Sequence, residues 1–174
     1  MTHIGLLDKC NAKLLVDIQI IHMLVRNHYI NNIWSTDVRS MPKLRTYREF
    51  KQEFKCEKYL SLALKKNERS LLAQFRTGIL PLRIETGRYL GEPVNSRLCR
   101  LCDSQEVENE CHFVLKCQLY NAARTTCLGT LMSNDEFVNL SDTGKITYLM
   151  QNHVRQLAKY IVKAYTLRRN TLYS

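Results

Sequence analysis

The sequence has few residues that interrupt regular structure, and it has no long apolar run. Its 174 residues include three prolines and six glycines, a composition that argues against a disordered or fibrous chain. The longest apolar stretch, residues 14–25, contains Asp17, Gln19 and His22 and is too short to cross a bilayer. The N-terminus lacks a basic region followed by an apolar stretch and a small-residue cleavage site, so we expect no secretory signal.

The cysteines do not fit a disulfide framework. There are seven, an odd number, and no export signal accompanies them. We therefore predict reduced thiols and an intracellular location, in the nucleus or the cytoplasm. Clustered cysteines in such proteins are more often metal ligands than bridges.

Positive charge dominates and is unevenly distributed. The formal net charge is +10, residues 41–90 hold 12 Lys and Arg against five Glu, and residues 152–174 hold five Lys and Arg and no acid. Between these segments lies a small acidic cluster, made of Asp103, Glu106, Glu108 and Glu110. This distribution favours RNA or DNA as a partner and gives no reason to expect a membrane. The alternative is a solvated basic surface that keeps the protein soluble.

Apolar spacing predicts a mainly α-helical fold. A long N-terminal helix is indicated by apolar residues three or four apart; they are Leu7, Cys10, Leu14, Ile18, Ile21, Val25 and Tyr29. Helical spacing recurs over residues 41–64 and 68–77, with the second helix ending at Gly78. Ser141 or Asp142 is the expected N-cap of a later helix, and a basic helix follows Asn152.

Residues 80–84 break the helical pattern. Leu80, Leu82 and Ile84 alternate with Pro81 and Arg83, which is the period of an extended strand. We therefore predict a helical protein with a small irregular Cys-Cys-His-Cys zinc knuckle and at most one short hairpin. Its regions would be 1–90, an N-terminal helical region; 91–128, the knuckle and the helix after it; and 129–174, the C-terminal helices, all in one compact unit.

The knuckle is predicted from four residues with the pattern C-x2-C-x9-H-x4-C. Cys99 and Cys102 have the spacing that lets one tight turn direct two thiolates at one point, and His112 and Cys117 supply two more donors. Three thiolates and one imidazole fill a tetrahedral Zn²⁺ site, so the metal would be structural and have no open position for catalysis.

Cys111 leaves an alternative open. It is adjacent to His112, so the two side chains point in different directions and only one is expected to bind the metal. We favour His112; the alternative is a four-cysteine site that uses Cys111. A further alternative is that all of these are core cysteines with no metal. For the metal site we expect Arg97, Arg100 or Lys116 to donate to the sulfurs.

Four stretches of the sequence resemble the C-terminal region of reverse transcriptase polyproteins from non-LTR retrotransposons. They are KLRTYREFK (residues 43–51), LLAQFRTGILPLRIETGRY (71–89), RLCRLCDSQEVENECHFVLKCQLYNAAR (97–124) and FVNLSDTGKITYLMQN (137–152). The resemblance covers about residues 41–167 and implies that Cys99, Cys102, His112 and Cys117 are the metal ligands. It also implies a role in gripping template RNA or target DNA. The sequence departs from the family in having Cys111 where an aromatic residue commonly precedes the His.

The sequence carries no recognisable catalytic motif. It has no Tyr-x-Asp-Asp string and no carboxylate cluster of a nuclease or ribonuclease H. The DTGKIT string at residues 142–147 lacks the earlier Gly and the Ser or Thr after Lys145 that a phosphate loop needs. A reactive thiol at Cys111 beside His112 is disfavoured, because no third residue orients the pair. We therefore expect a detached C-terminal portion of such a reverse transcriptase, not an enzyme in its own right.

The expected function is a zinc-stabilised nucleic-acid-binding module. Phosphate contacts are assigned to basic residues before and within the knuckle, with Tyr89 as a stacking surface; they are Arg76, Arg83, Arg88, Arg97 and Arg100. The alternative is a zinc-scaffolded protein-interaction domain that uses the long N-terminal helix and has no nucleic-acid role.

Overall fold

The chain forms two units, which are described separately. The structure is a computed structural model that describes the backbone of residues 4–173 and the side chains of residues 15–173. The units are Met1–Ser40 and Met41–Ser174. The boundary between them lies inside the predicted 1–90 region, and residues on both sides of position 90 and of position 128 share one core.

The first unit is almost entirely helical. Helix α1 spans Ile4–His28, a π-helical segment spans Tyr29–Trp34, and α2 spans Ser35–Ser40. The predicted long N-terminal helix is therefore confirmed, although its predicted apolar face is not buried within the described side chains. The large apolar residues of α1 that are exposed are Leu15, Val16, Ile18, Ile20, Ile21, Met23, Leu24 and Val25. No helix in the described part of the chain is long and apolar enough to span a membrane.

Residues 41–64 form short helical turns instead of the predicted helix. They are a 3₁₀ turn at Pro42–Leu44, α3 at Tyr47–Phe50 and a 3₁₀ turn at Lys58–Ser61. The guanidinium of Arg76 explains this difference, because it lies 4.4 Å from the ring centre of Phe50 and 4.7 Å from that of Tyr59. Phe50 and Tyr59 are nine residues apart, and side chains at that separation on a continuous helix point in nearly opposite directions. One helix could therefore not place both rings against the Arg76 guanidinium.

The core of the second unit forms around its last helix. Helices α4 (Lys66–Arg76) and α6 (Asn121–Met132) pack against α9 (Val154–Tyr173). Phe113 lies at the centre, with its ring 4.9 Å from that of Tyr120 and 5.9 Å from that of Tyr160. Two shorter helices, α7 (Asp135–Val138) and α8 (Asp142–Asn152), connect α6 to α9, and Ser141 caps α8 as predicted.

Residues 80–84 are not a strand, and this prediction is wrong. Helix α5 begins at Arg83 and ends at Tyr89. Its first turn is capped by Glu108, whose carboxylate accepts a 2.8 Å hydrogen bond from the Arg83 N–H and whose backbone oxygen accepts one of 3.0 Å from Ile84. The mainly α-helical class is confirmed. The β-structure of the described residues is one antiparallel bridge between Leu98 and Val107.

Half of the acidic cluster is buried, since Asp103 and Glu106 are exposed but the other two members are not. Glu108 and Glu110 are buried, and each pairs with an arginine from a distant part of the second unit. Arg168 of α9 donates two hydrogen bonds to Glu108, of 3.1 and 2.8 Å. Arg45 likewise donates two hydrogen bonds to the Glu110 carboxylate. The two pairs fasten residues 108–110 to both ends of the second unit.

Candidate metal centre

A short hairpin carries the first two cysteines. Around the bridge between Leu98 and Val107, Cys99 donates its backbone N–H to Glu106 and Glu108 donates its own to Arg97, at 2.9 and 3.0 Å. The turn between the two arms includes Gln105, which has a positive φ of 56°. Cys99 and Cys102 therefore lie at the end of a hydrogen-bonded hairpin.

A π-helical turn, His112–Lys116, carries the other two donors. The Asn109 side chain accepts a 2.8 Å hydrogen bond from the His112 N–H, and the Cys117 N–H bonds the His112 oxygen at 2.9 Å as the turn closes. Arg124 of α6 then donates to the carbonyls of Val114 and Cys117, at 2.8 and 2.9 Å. The backbone beneath both donors is thus fixed to the core.

The four predicted side chains converge on one point. Their donor atoms, the sulfurs of Cys99, Cys102 and Cys117 and a ring nitrogen of His112, all lie within 4.8 Å of one another. The Cys99 and Cys117 sulfurs are 4.0 Å apart, and the Cys102 sulfur is 3.4 Å from His112 Nε2. A tetrahedral zinc ion would set these separations at about 3.8 and 3.6 Å. The donors are therefore spaced to hold a metal ion.

Cys111 lies outside this group of four. It is half-buried and lines a cavity of 350 Å³ next to the cluster, together with His112, Glu106, Lys116 and Asp142. His112 is 2% exposed and points its Nε2 at the sulfurs. Of the two neighbours, the structure thus brings His112 to the three cysteines.

The second ring nitrogen of His112 has a partner that the sequence analysis missed. Its Nδ1 is 3.1 Å from Glu106, and Lys116 bridges Glu106 and Asp142 at 3.6 and 3.0 Å. A carboxylate in this position holds a metal-binding imidazole in the tautomer that leaves Nε2 free to ligate. The carboxylate six residues before the His was visible in the sequence, where we read it as part of an acidic cluster.

Two of the three expected donors to the sulfurs, Arg97 and Lys116, are engaged elsewhere. Arg97 donates to the backbone oxygens of Glu92 and Ile84. Lys116 pairs with the two carboxylates described above. Arg97 supports the backbone before the hairpin and Lys116 supports the carboxylate partner of His112, and neither has a recorded hydrogen bond to the thiols.

Protons are shared among the buried donors. The hydrogen bond with Cys117, together with burial, raises the pKa of Cys99 to about 12, and the same bond lowers the pKa of Cys117. Burial alone would lower the pKa of His112, but hydrogen bonds with Cys99 and Glu106 outweigh it and raise the pKa to about 9. A divalent cation would replace these shared protons, because thiolate and neutral imidazole are the ligating forms.

Three of the five predicted phosphate-binding arginines are engaged inside the protein. Arg76 is 4% exposed, pairs with Glu57 and lies between two aromatic rings. Arg83 is also buried and pairs with Glu92. Arg97 is half-buried and holds backbone carbonyls. Their positive charges remain, but their guanidinium groups face protein atoms.

The other two arginines lie on the surface. Arg88 pairs with Glu85 at 2.7 Å and lies 4.5 Å from the ring centre of Tyr89, which is 73% exposed. Arg100 is exposed on the hairpin that carries Cys99 and Cys102. The structure thus separates the predicted set into a buried group and an exposed pair.

Comparison of the chain with protein-family models, with curated proteins and with solved structures finds no match. The description of the site therefore depends on its own geometry and chemistry.

Proposed function

We propose that Cys99, Cys102, His112 and Cys117 bind one structural Zn²⁺ ion. The convergence of three sulfurs and one ring nitrogen within 4.8 Å carries this proposal. Zinc is the metal of choice because soft thiolates with one imidazole in a tetrahedral set suit it. Four protein donors complete the coordination, so the ion would join the hairpin to the π-helical turn without an open position for substrate.

Metal content of the purified protein tests this proposal. We expect about one zinc per chain, retained in Cys111→Ala and lost or strongly reduced in His112→Ala. The two variants are matched, since they alter adjacent side chains of the same turn. Loss of zinc in Cys111→Ala with retention in His112→Ala would contradict the ligand assignment, and a wild-type protein without metal would contradict the site.

We further propose that the zinc-stabilised unit is a nucleic-acid-binding module of the kind found in the C-terminal region of retrotransposon reverse transcriptases, and that the unit has no polymerase activity of its own. Its support is the net charge of +10, the sequence resemblance described above and the spacing of the metal donors. Among the predicted arginines, Arg88 and Arg100 are exposed, and we assign phosphate contacts to them and base stacking to the exposed ring of Tyr89.

The salt dependence of nucleic-acid binding tests this second proposal. Neutralising phosphates releases counterions, so the logarithm of the binding constant should fall linearly with the logarithm of salt concentration. A slope near zero, or no binding at low salt, would remove the nucleic-acid role and leave the metal site unaffected.

One observation favours a second candidate function, a protein-interaction domain. Helix α1 exposes eight large apolar side chains between Leu15 and Val25. A helix with this much exposed apolar surface is expected to need a partner that covers it. Light scattering on the full chain and on Ile18→Glu/Ile21→Glu tests this candidate. A concentration-dependent assembly that the double variant dissolves would support it, and a monomer in both would count against it.

A further inference from the structure

A groove on the second unit lies apart from the metal centre. It has a volume of 880 Å³ and runs between the segment that follows α3 and the junction of α8 with α9. Phe50, Tyr59, Leu62, Met150 and Val154 give it an apolar floor. A site of this volume accommodates a group the size of a nucleotide, because small-molecule sites fall at about 300–1,000 Å³.

The walls of the groove carry an excess of positive charge. Five cationic side chains line it against two carboxylates, Glu53 and Glu57; the cations are Lys51, Lys55, Lys58, Arg76 and Arg155. Glu57 pairs with both Lys51 and Arg76, and Glu53 pairs with Lys55. The local excess is therefore three positive charges.

Two of these cations remain available to a ligand. Lys58 and Arg155 are exposed, and neither makes an ion pair within the described residues. They come from different walls, one from the 3₁₀ turn at Lys58–Ser61 and one from the first turn of α9. An anionic group in the groove would thus meet a free cation on each side.

The positive charge continues from the groove along α9. Arg155, Lys159 and Lys163 are exposed and lie four residues apart, whereas Leu157, Ile161 and Ala164 on the inner face are buried. Each step of four residues advances about 6 Å along the helix, a spacing close to that of successive phosphates in an extended strand. Helix α9 contains no acidic residue. We call the groove and the row of cations that leads from it along α9 the basic track.

We propose that this track, Lys58, Arg155, Lys159 and Lys163, binds the phosphate backbone of a single-stranded nucleic acid, with one nucleotide seated in the groove. The proposal rests on the proposed nucleic-acid function and assigns that function to a surface. None of the five arginines predicted from sequence contributes an unpaired side chain to this surface. A single strand fits because the groove admits one nucleotide, whereas a duplex is too wide to enter it. Recognition is by charge, and therefore independent of base sequence.

Fluorescence anisotropy of the full chain with a labelled single strand, over a salt series, tests the track. Lys58→Ala/Arg155→Ala removes one cation from each wall. Arg26→Ala/Lys43→Ala removes the same charge from exposed positions that do not line the groove. We expect the first pair to weaken binding about tenfold or more and to reduce the salt slope by about two, since each lost phosphate contact reduces it by about one. The control pair should leave affinity within about twofold. Circular dichroism checks that both variants remain folded.

The outcomes separate the track from the general function. Salt-dependent binding by the wild type that both pairs weaken equally would overturn the track and leave the nucleic-acid role intact. The same holds if the Lys58 and Arg155 pair has no effect, or if a matching duplex binds as tightly as the single strand. Equal binding of an acidic peptide of the same charge would overturn the choice of a nucleic-acid strand. No binding by the wild type would refute the general function itself.

Discussion

Truncation of Glu108 should be among the most damaging single changes in the second unit. Its side chain is 1% exposed and that of its partner Arg168 is 7% exposed. Glu108→Ala would remove both acceptors of the guanidinium and the 2.8 Å cap on the Arg83 N–H. A buried charge left without its partner costs about 3–5 kcal/mol, and a buried N–H without an acceptor adds about 1–3 kcal/mol. We expect a total of about 4–8 kcal/mol, a large part of the whole stability of such a domain.

Urea denaturation with a double-mutant cycle measures this effect. At a slope of about 2 kcal/mol per molar urea, Glu108→Ala should lower the midpoint by about 2 M or more. The double variant Glu108→Ala/Arg168→Ala should cost much less than the sum of the two single changes, because it leaves no unpaired charge.

The exposed pair Glu53 and Lys55 supplies the matched control. Both side chains are more than half exposed, and their cycle should show no resolvable shift of the midpoint. If Glu108→Ala lowered the midpoint no further than Glu53→Ala does, or if the Glu108 cycle were additive, the reasoning from burial would be refuted.

Two further predictions concern the metal centre and the chain reversal after α4. Glu106→Gln, which removes the charge beside His112 Nδ1, should weaken zinc affinity about 10- to 100-fold in a competition titration with a chromophoric chelator; an unchanged affinity would mean that this carboxylate does not orient the ring. Gly78 and Gly91 have nearly equal φ values of 68° and 69°, but an added Cβ would lie 2.0 Å from the Lys43 oxygen at Gly78 and would meet nothing within 4 Å at Gly91. Gly91→Ala should therefore lower the free energy of unfolding by about 1–2 kcal/mol, from its left-handed backbone alone. Gly78→Ala should lower it clearly more in the same urea assay. Equal urea midpoints for the two variants would contradict the close approach of Gly78 to the Lys43 oxygen.

Local patterns predicted the elements that depend on local interactions. The cap at Ser141 and the two C-terminal helices follow from side-chain chemistry and apolar spacing within a few residues. The short spacing of Cys99, Cys102, His112 and Cys117 likewise predicted that their side chains converge on one point, as they do in the structure.

The failures share a physical cause, which is pairing between distant residues. Helix α5 starts at Arg83 because Glu108, 25 residues later, caps it, and no local pattern reports that contact. The alternation at residues 80–84 looked like a strand with a solvent face, but its polar member, Arg83, is buried against Glu92. Arg76, to which the sequence analysis assigned a phosphate contact, is likewise buried and paired with Glu57. The charge of these arginines indicated a solvent-facing or ligand-binding role, whereas in the structure both form ion pairs inside the protein.

The shortness of the segment that holds the metal donors has a consequence for how the protein assembles. All four donors lie within 19 residues of chain, from Cys99 to Cys117, so closing that loop costs little chain entropy. The contacts between α9 and residue 108 must instead be made across 60 residues. We expect the proposed Zn²⁺ ion to bind as soon as residues 99–117 have left the ribosome, before α9 has been synthesised. With the proposed ion bound, the hairpin would then hold Glu108 in place for Arg168 when α9 is made.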